Sequence, residues 1–75
     1  MENSAKLELA GLAAGFLEEM GFVAVARLRS GVVLLEFWKG PIAMRYELSD
    51  AKITPRALAD ACAAEYTART GDREA

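Results

Sequence analysis

The chain has 75 residues, of which 53% are hydrophobic and 27% are charged, and it contains one cysteine and no histidine. This length predicts one small domain with a thin stability margin, and the apolar content favours a packed globule over disorder. The formal charge of −2, from 9 basic and 11 acidic residues, is too balanced to favour electrostatic binding to nucleic acid or to an anionic membrane.

The first predicted element is a helix over about residues 4–20. Its apolar residues recur at spacings of three and four, and Asn3 or Ser4 would cap its N-terminus. Gly11 and Gly15 lie four residues apart within it. Because glycine inside a helix is destabilising, this pair predicts a close approach of the helix to the second helix or to the sheet.

Three strands are predicted over about residues 22–29, 32–39 and 42–48. Ser30-Gly31 and Gly40-Pro41 would be two-residue turns, and Gly40-Pro41 suits type II′ because glycine occupies the position with positive φ. Both turns bring the same alternate residues together, so they predict one apolar face. That face consists of Phe22, Ala24, Ala26, Leu28, Val33, Leu35, Phe37, Ile42, Met44, Tyr46 and Leu48.

The opposite face of the sheet is predicted to be half apolar and open to solvent or to a partner. Trp38 falls on it, opposite Val23 on one side and Ala43 on the other, and Glu36 falls opposite Arg45 as a cross-strand charge pair. The face as a whole carries the apolar residues Val23, Val25, Leu34 and Trp38 and the charged residues Arg27, Arg29, Glu36, Arg45 and Glu47.

A second helix is predicted over about residues 55–70, with Thr54 as N-cap, Pro55 in its first turn and Gly71 after its end. The order helix, three strands, helix predicts one α+β domain over residues 1–75. We expect a two-layer sandwich of α-β-β-β-α order, in which a three-stranded antiparallel meander sheet carries both helices on one face.

The sequence offers no catalytic constellation. Cys62 lies in the apolar stripe of the second helix, so we expect a buried structural thiol rather than a nucleophile. Without histidine, a cysteine or histidine metal site is excluded by count. We therefore predict a protein that is not an enzyme and that has no metal, no cofactor and no small-molecule substrate. The lone cysteine and the lack of a signal-like or membrane-spanning segment predict a cytoplasmic location.

The element order and the length resemble the double-stranded RNA-binding domain, a family in which two helices pack on one face of a three-stranded sheet. The resemblance implies the same architecture. The lysine-rich start of that family's second helix is not matched, because residues 54–58 read Thr-Pro-Arg-Ala-Leu. The family's glycine-rich, histidine-containing turn is also missing, so we do not carry RNA binding over.

The leading functional prediction is a protein-interaction module that binds a protein partner or a second copy of itself through the open face of the sheet. The small size of the chain and its lack of catalytic residues also suggest an inhibitor of a host defence complex. Anti-CRISPR proteins, which are carried by phages or mobile elements, are inhibitors of this kind. A weak nucleic-acid site made of Arg27, Arg29, Lys39, Arg45 and Trp38 is the third alternative. The residues predicted to form the protein interface are Trp38, Leu34, Val23, Val25, Arg27, Arg29, Glu36 and Arg45.

Overall fold

A computed structural model of the chain describes residues 2–49 and 52–70. The three strands form one antiparallel sheet in the order β1-β2-β3, and both helices pack against the same face of it. The predicted α+β fold and its α-β-β-β-α order are confirmed, whereas the predicted helix end at Gly71 lies outside the described residues. The elements are α1 Glu2–Glu19, β1 Val23–Arg29, β2 Val32–Lys39, β3 Ile42–Glu47 and α2 Pro55–Thr70.

Helix α1 begins earlier than the sequence pattern predicted. It starts at Glu2, so Asn3 and Ser4 lie inside its first turn and neither of them is the N-cap. The Nδ2 of Asn3 instead donates a hydrogen bond to the carbonyl oxygen of Gly31 at 3.4 Å. This contact ties the start of the helix to the turn between β1 and β2.

The C-terminus of α1 is closed by a Schellman motif. Gly21 adopts a φ of 98°, a left-handed conformation that glycine enters without steric penalty. The amides of Gly21 and Phe22 donate hydrogen bonds to the carbonyl oxygens of Glu18 and Leu17, each at 3.0 Å. This arrangement satisfies two helix-end carbonyl groups and directs the chain into β1.

Both hairpin turns contain the predicted two residues. Ser30 and Gly31 have φ values of 51° and 77°, the pair of positive angles that defines a type I′ turn. Gly40 has a φ of 67° and Pro41 a negative one, as expected for type II′. The predicted registers are confirmed, with Leu28 opposite Val33, Ala26 opposite Leu35, Ala24 opposite Phe37, Phe37 opposite Met44 and Leu35 opposite Tyr46.

Helix α2 is capped as predicted and is anchored to the sheet at its far end. The Oγ1 of Thr54 accepts a hydrogen bond from the amide of Ala57 at 3.1 Å. The hydroxyl of Tyr66 donates to the carbonyl oxygen of Lys39 at 2.8 Å, and its ring meets the Phe22 ring edge-on with centroids 5.0 Å apart. These contacts hold the second half of α2 near the β2–β3 turn.

The core lies between the sheet and the helices, but it covers the sheet unevenly. Helix α1 contacts β1 and β2, whereas α2 contacts mainly α1. Leu28 and Ile42 lie on the core side of the sheet, as predicted, and yet stay 50% and 40% exposed, so the helices do not cover the apolar face completely. The buried core residues are Leu9, Ala10, Ala13, Ala14, Leu17, Phe22, Ala24, Val33, Leu35, Phe37, Leu48, Leu58, Ala59 and Cys62.

The prediction that Gly11 and Gly15 allow a close helix contact is wrong. Both glycines lie on the exposed side of α1, and a Cβ atom added to either would meet no atom within 4 Å. The small residues of α1 that are fully buried are instead Ala10 and Ala13.

We expect Gly11→Ala and Gly15→Ala each to raise the free energy of unfolding by about 0.5–1 kcal/mol, because alanine favours the helix and meets open space at both positions. Urea denaturation followed by circular dichroism measures the change. Gly21→Ala is the matched control and should destabilise the protein by a similar amount, because the side chain would occupy a left-handed conformation and contact Lys39. Destabilisation by all three substitutions would contradict the placement of Gly11 and Gly15.

Candidate functional site

The face of the sheet away from the helices, here called the outer face, is open. The opposite face is the core side, because it carries the buried strand residues Ala24, Val33, Leu35 and Phe37. Successive side chains of a strand alternate between the two faces, so the neighbours of these residues along the strands belong to the outer face. No residue of the outer face is buried. Its side chains are Val23, Val25, Arg27 and Arg29 from β1, Val32, Leu34, Glu36 and Trp38 from β2, and Ala43, Arg45 and Glu47 from β3.

Trp38 lies on the outer face, where the sequence placed it. It is paired with Val23 of β1 and with Ala43 of β3. Its side chain is half-buried although no helix lies above it, so the ring must rest against neighbouring side chains of the sheet. Among the described residues, its indole N–H has no hydrogen-bond partner. Trp38 therefore presents one apolar ring surface and one free donor to solvent.

The apolar part of the outer face extends from Trp38 along β1 and β2. Val23 is 49% exposed, and Val25 and Leu34 are half-buried. Val25 lies diagonally between the row of Trp38 and the row of Leu34, so it links the two ends of the patch. The four predicted apolar interface residues thus share one surface.

The charges of the outer face pair differently from the prediction. Glu36 does lie opposite Arg45 in the register, but its Oε1 accepts a hydrogen bond from the Nε of Arg27 at 2.9 Å. Within the residues that the structure describes, Arg29, Arg45 and Glu47 form no ion pair. The charges at the centre of the face therefore form an ion pair, and the charges without an ion-pair partner among the described residues lie toward its borders.

The basic residues proposed to act together on nucleic acid are divided by the fold. Lys39 lies on the core side, and its Nζ is 4.5 Å from the centre of the Phe22 ring in a cation–π contact. Arg27 is engaged by Glu36. This leaves Arg29 and Arg45 as the outer-face cations without a partner among the described residues, which is a sparse basic surface for a phosphate backbone.

A cavity of about 420 Å³ lies beside the edge of β3. Ala43, Met44 and Arg45 of β3 line it together with the outer-face side chains of Glu36 and Trp38, so the cavity extends from the outer face to the edge of β3. Glu65 and Arg69 of α2 line its other side. Sequence reasoning missed these two residues, because no pattern in α2 indicates where the helix meets β3.

Cys62 is buried in the core, as predicted. Burial, and to a smaller extent the charge of Glu65, raises the pKa of its thiol from 9.0 to about 12, so the nucleophilic thiolate is disfavoured. In residues 2–49 and 52–70, no three cysteine, aspartate or glutamate side chains lie close enough together to hold a metal ion. No helix in the described part of the chain has both the length and the apolar character to cross a membrane.

The buried thiol should make stability depend on pH. The folded pKa is raised, so the contribution of Cys62 is fully present below pH 9.0 and is lost as pH rises toward about 12. We expect wild type to lose about 1 kcal/mol more unfolding free energy than Cys62→Ala between about pH 8 and pH 10. Denaturant titrations of both proteins at each pH measure this difference. A difference that stays constant with pH would contradict the burial of the thiol.

Comparison with known proteins adds no functional assignment to this geometry. The chain matches no protein family, no curated protein and no solved structure.

Proposed function

We propose that this domain is a protein-interaction module without enzymatic activity that binds a protein partner through the outer face of its sheet. The observation that carries the proposal is the half-buried Trp38 beside the exposed Val23 on a face that no described element covers. Tryptophan is enriched among the residues that dominate binding energy at protein interfaces.

The position of Trp38 suits an anchor because it lies on the central strand of the sheet. It belongs to β2, which pairs with β1 on one side and with β3 on the other. The neighbouring residue Phe37 is fully buried and fixes β2 against the helices. A side chain held on such a strand loses little conformational entropy when it is bound, and this raises affinity.

The arrangement of charges on the outer face indicates what kind of partner surface would be complementary to it. The ion pair between Arg27 and Glu36 lies next to the apolar patch, so a docking partner would not have to satisfy either charge alone. Arg29, Arg45 and Glu47 lie nearer the border. We infer a partner with an apolar centre and a rim of both charge signs, where the rim sets orientation and association rate.

The proposal is tested by the double variant Trp38→Ala/Leu34→Ser against the control Leu12→Ser. Leu12 is 56% exposed on α1, so the control removes an exposed apolar side chain away from the sheet. A partner is captured from lysate with wild type, and its affinity for each variant is then measured. We expect the double variant to weaken binding by at least about tenfold, the loss of one hot-spot residue, and the control to leave it unchanged.

Trp38 also provides a direct readout, since it is the single tryptophan of the chain. Saturation with the captured partner should reduce acrylamide quenching of its fluorescence, because the partner covers the indole. Circular dichroism and denaturation confirm that each variant is folded. A folded double variant with wild-type affinity, or unchanged quenching in the saturated complex, would refute binding through the outer face.

A further inference from the structure

The edge of β3 is a free row of backbone hydrogen-bonding groups. The amide of Leu48, the residue after β3, donates to the carbonyl oxygen of Val33 at 3.0 Å. The backbone groups of the core-side residues in this segment therefore bond to β2. Because the backbone groups of successive residues point to alternate sides of a strand, the amides and carbonyls of Ala43, Arg45 and Glu47 point away from β2, toward the open edge of the sheet. The last strand therefore presents an unpaired edge.

The core side of β3 is also incompletely covered. Met44 and Tyr46 are only half-buried, and Ile42 is 40% exposed, because the helices pack over β1 and over each other. The cavity of about 420 Å³ borders one end of β3, and a second cavity of about 190 Å³ borders Tyr46 and Leu48 at the other end. The edge strand thus combines free backbone groups with apolar side chains that are only partly covered.

The usual protections of an edge strand are weak on β3. Its register with β2 is continuous from Ile42 to Glu47, so no bulge interrupts it, and its six residues include no proline. Arg45 and Glu47 are its charged residues and have opposite signs. A strand that carries one charge of each sign repels a second copy in some alignments and attracts it in others.

We propose that β3 pairs antiparallel with β3 of a second copy of the chain, with Arg45 opposite Glu47 of that copy. Twofold symmetry then brings Glu47 opposite Arg45 as well, which forms two ion pairs on the outer face. Tyr46 lies opposite its own counterpart at the axis, and Met44 lies opposite Leu48 on the core side. Two three-stranded sheets thereby become one six-stranded sheet with a continuous outer face.

The competing symmetric alignments are less favourable. Pairing Arg45 with its own counterpart places two like charges directly opposite each other. Pairing Ala43 with Arg45 leaves Glu47 opposite Pro41, which lacks an amide and lies in the turn. Only the proposed alignment gives both charged residues of β3 an opposite partner. In the single chain, neither of them has an ion-pair partner among the described residues.

Charge exchange tests this register. Sedimentation equilibrium should show wild type as a dimer, and Arg45→Glu or Glu47→Arg alone should raise the dimer dissociation constant at least about tenfold, since each creates two like-charge pairs. An equimolar mixture of the two variants should form a heterodimer, because each then offers the charge that the other lacks. The variant with both substitutions should dimerise like wild type.

Arg29→Glu is the matched control, since it reverses a charge on the outer face at the opposite edge, on β1, and should leave the dimer intact. A monomeric wild type at every concentration overturns the proposal. Single variants that dimerise like wild type, or a mixture that stays monomeric, overturn it too. These outcomes are separate from the outer-face test, because Trp38→Ala/Leu34→Ser changes two side chains of β2, leaves the backbone groups and charges of β3 in place and should still dimerise.

Discussion

The two hairpin turns fix which residues of the sheet reach the core, and the rest of the structure depends on them. Ser30-Gly31 and Gly40-Pro41 each use positive φ angles that match the right-handed twist of the strands. Since side chains alternate, a slip of one residue would bury Trp38 and expose the fully buried Phe37. The turns therefore determine the core and the outer face at the same time.

Local chemistry explains why the sheet, the C-terminal end of α1 and the N-terminal start of α2 could be predicted from the sequence. Each of these features is set by a few neighbouring residues: the glycine after α1, the Thr54-Pro55 start of α2 and the two turn dipeptides. A short stretch of sequence is therefore enough to predict each one. The alternation of apolar residues then leaves one consistent register. The outer-face position of Trp38 follows from these local rules without any knowledge of how the helices pack.

The features that the sequence could not reveal all depend on packing between distant elements. Helix α1 is rich in alanine, glycine and leucine around its circumference, so its pattern does not indicate that Gly11 and Gly15 face solvent. Leu28 and Ile42 are exposed although they lie on the core side, and their exposure depends on where the helices pack over the sheet, which the strand pattern does not indicate. Glu36 pairs with Arg27 rather than with Arg45, which lies directly opposite it. The register alone does not decide this, because the pairing also depends on the conformations of the long side chains.

The uneven cover of the sheet has a physical cause in how α2 is anchored. Tyr66 bonds to the backbone of Lys39 and packs on Phe22, which draws α2 toward the start of β1 and toward α1. Lys39 reinforces this cluster from above the Phe22 ring. An anchor at this position leaves β3 as the strand with the least helix above it. The same contacts that complete the core around β1 therefore leave the opposite edge as the part of the sheet with most to gain from association.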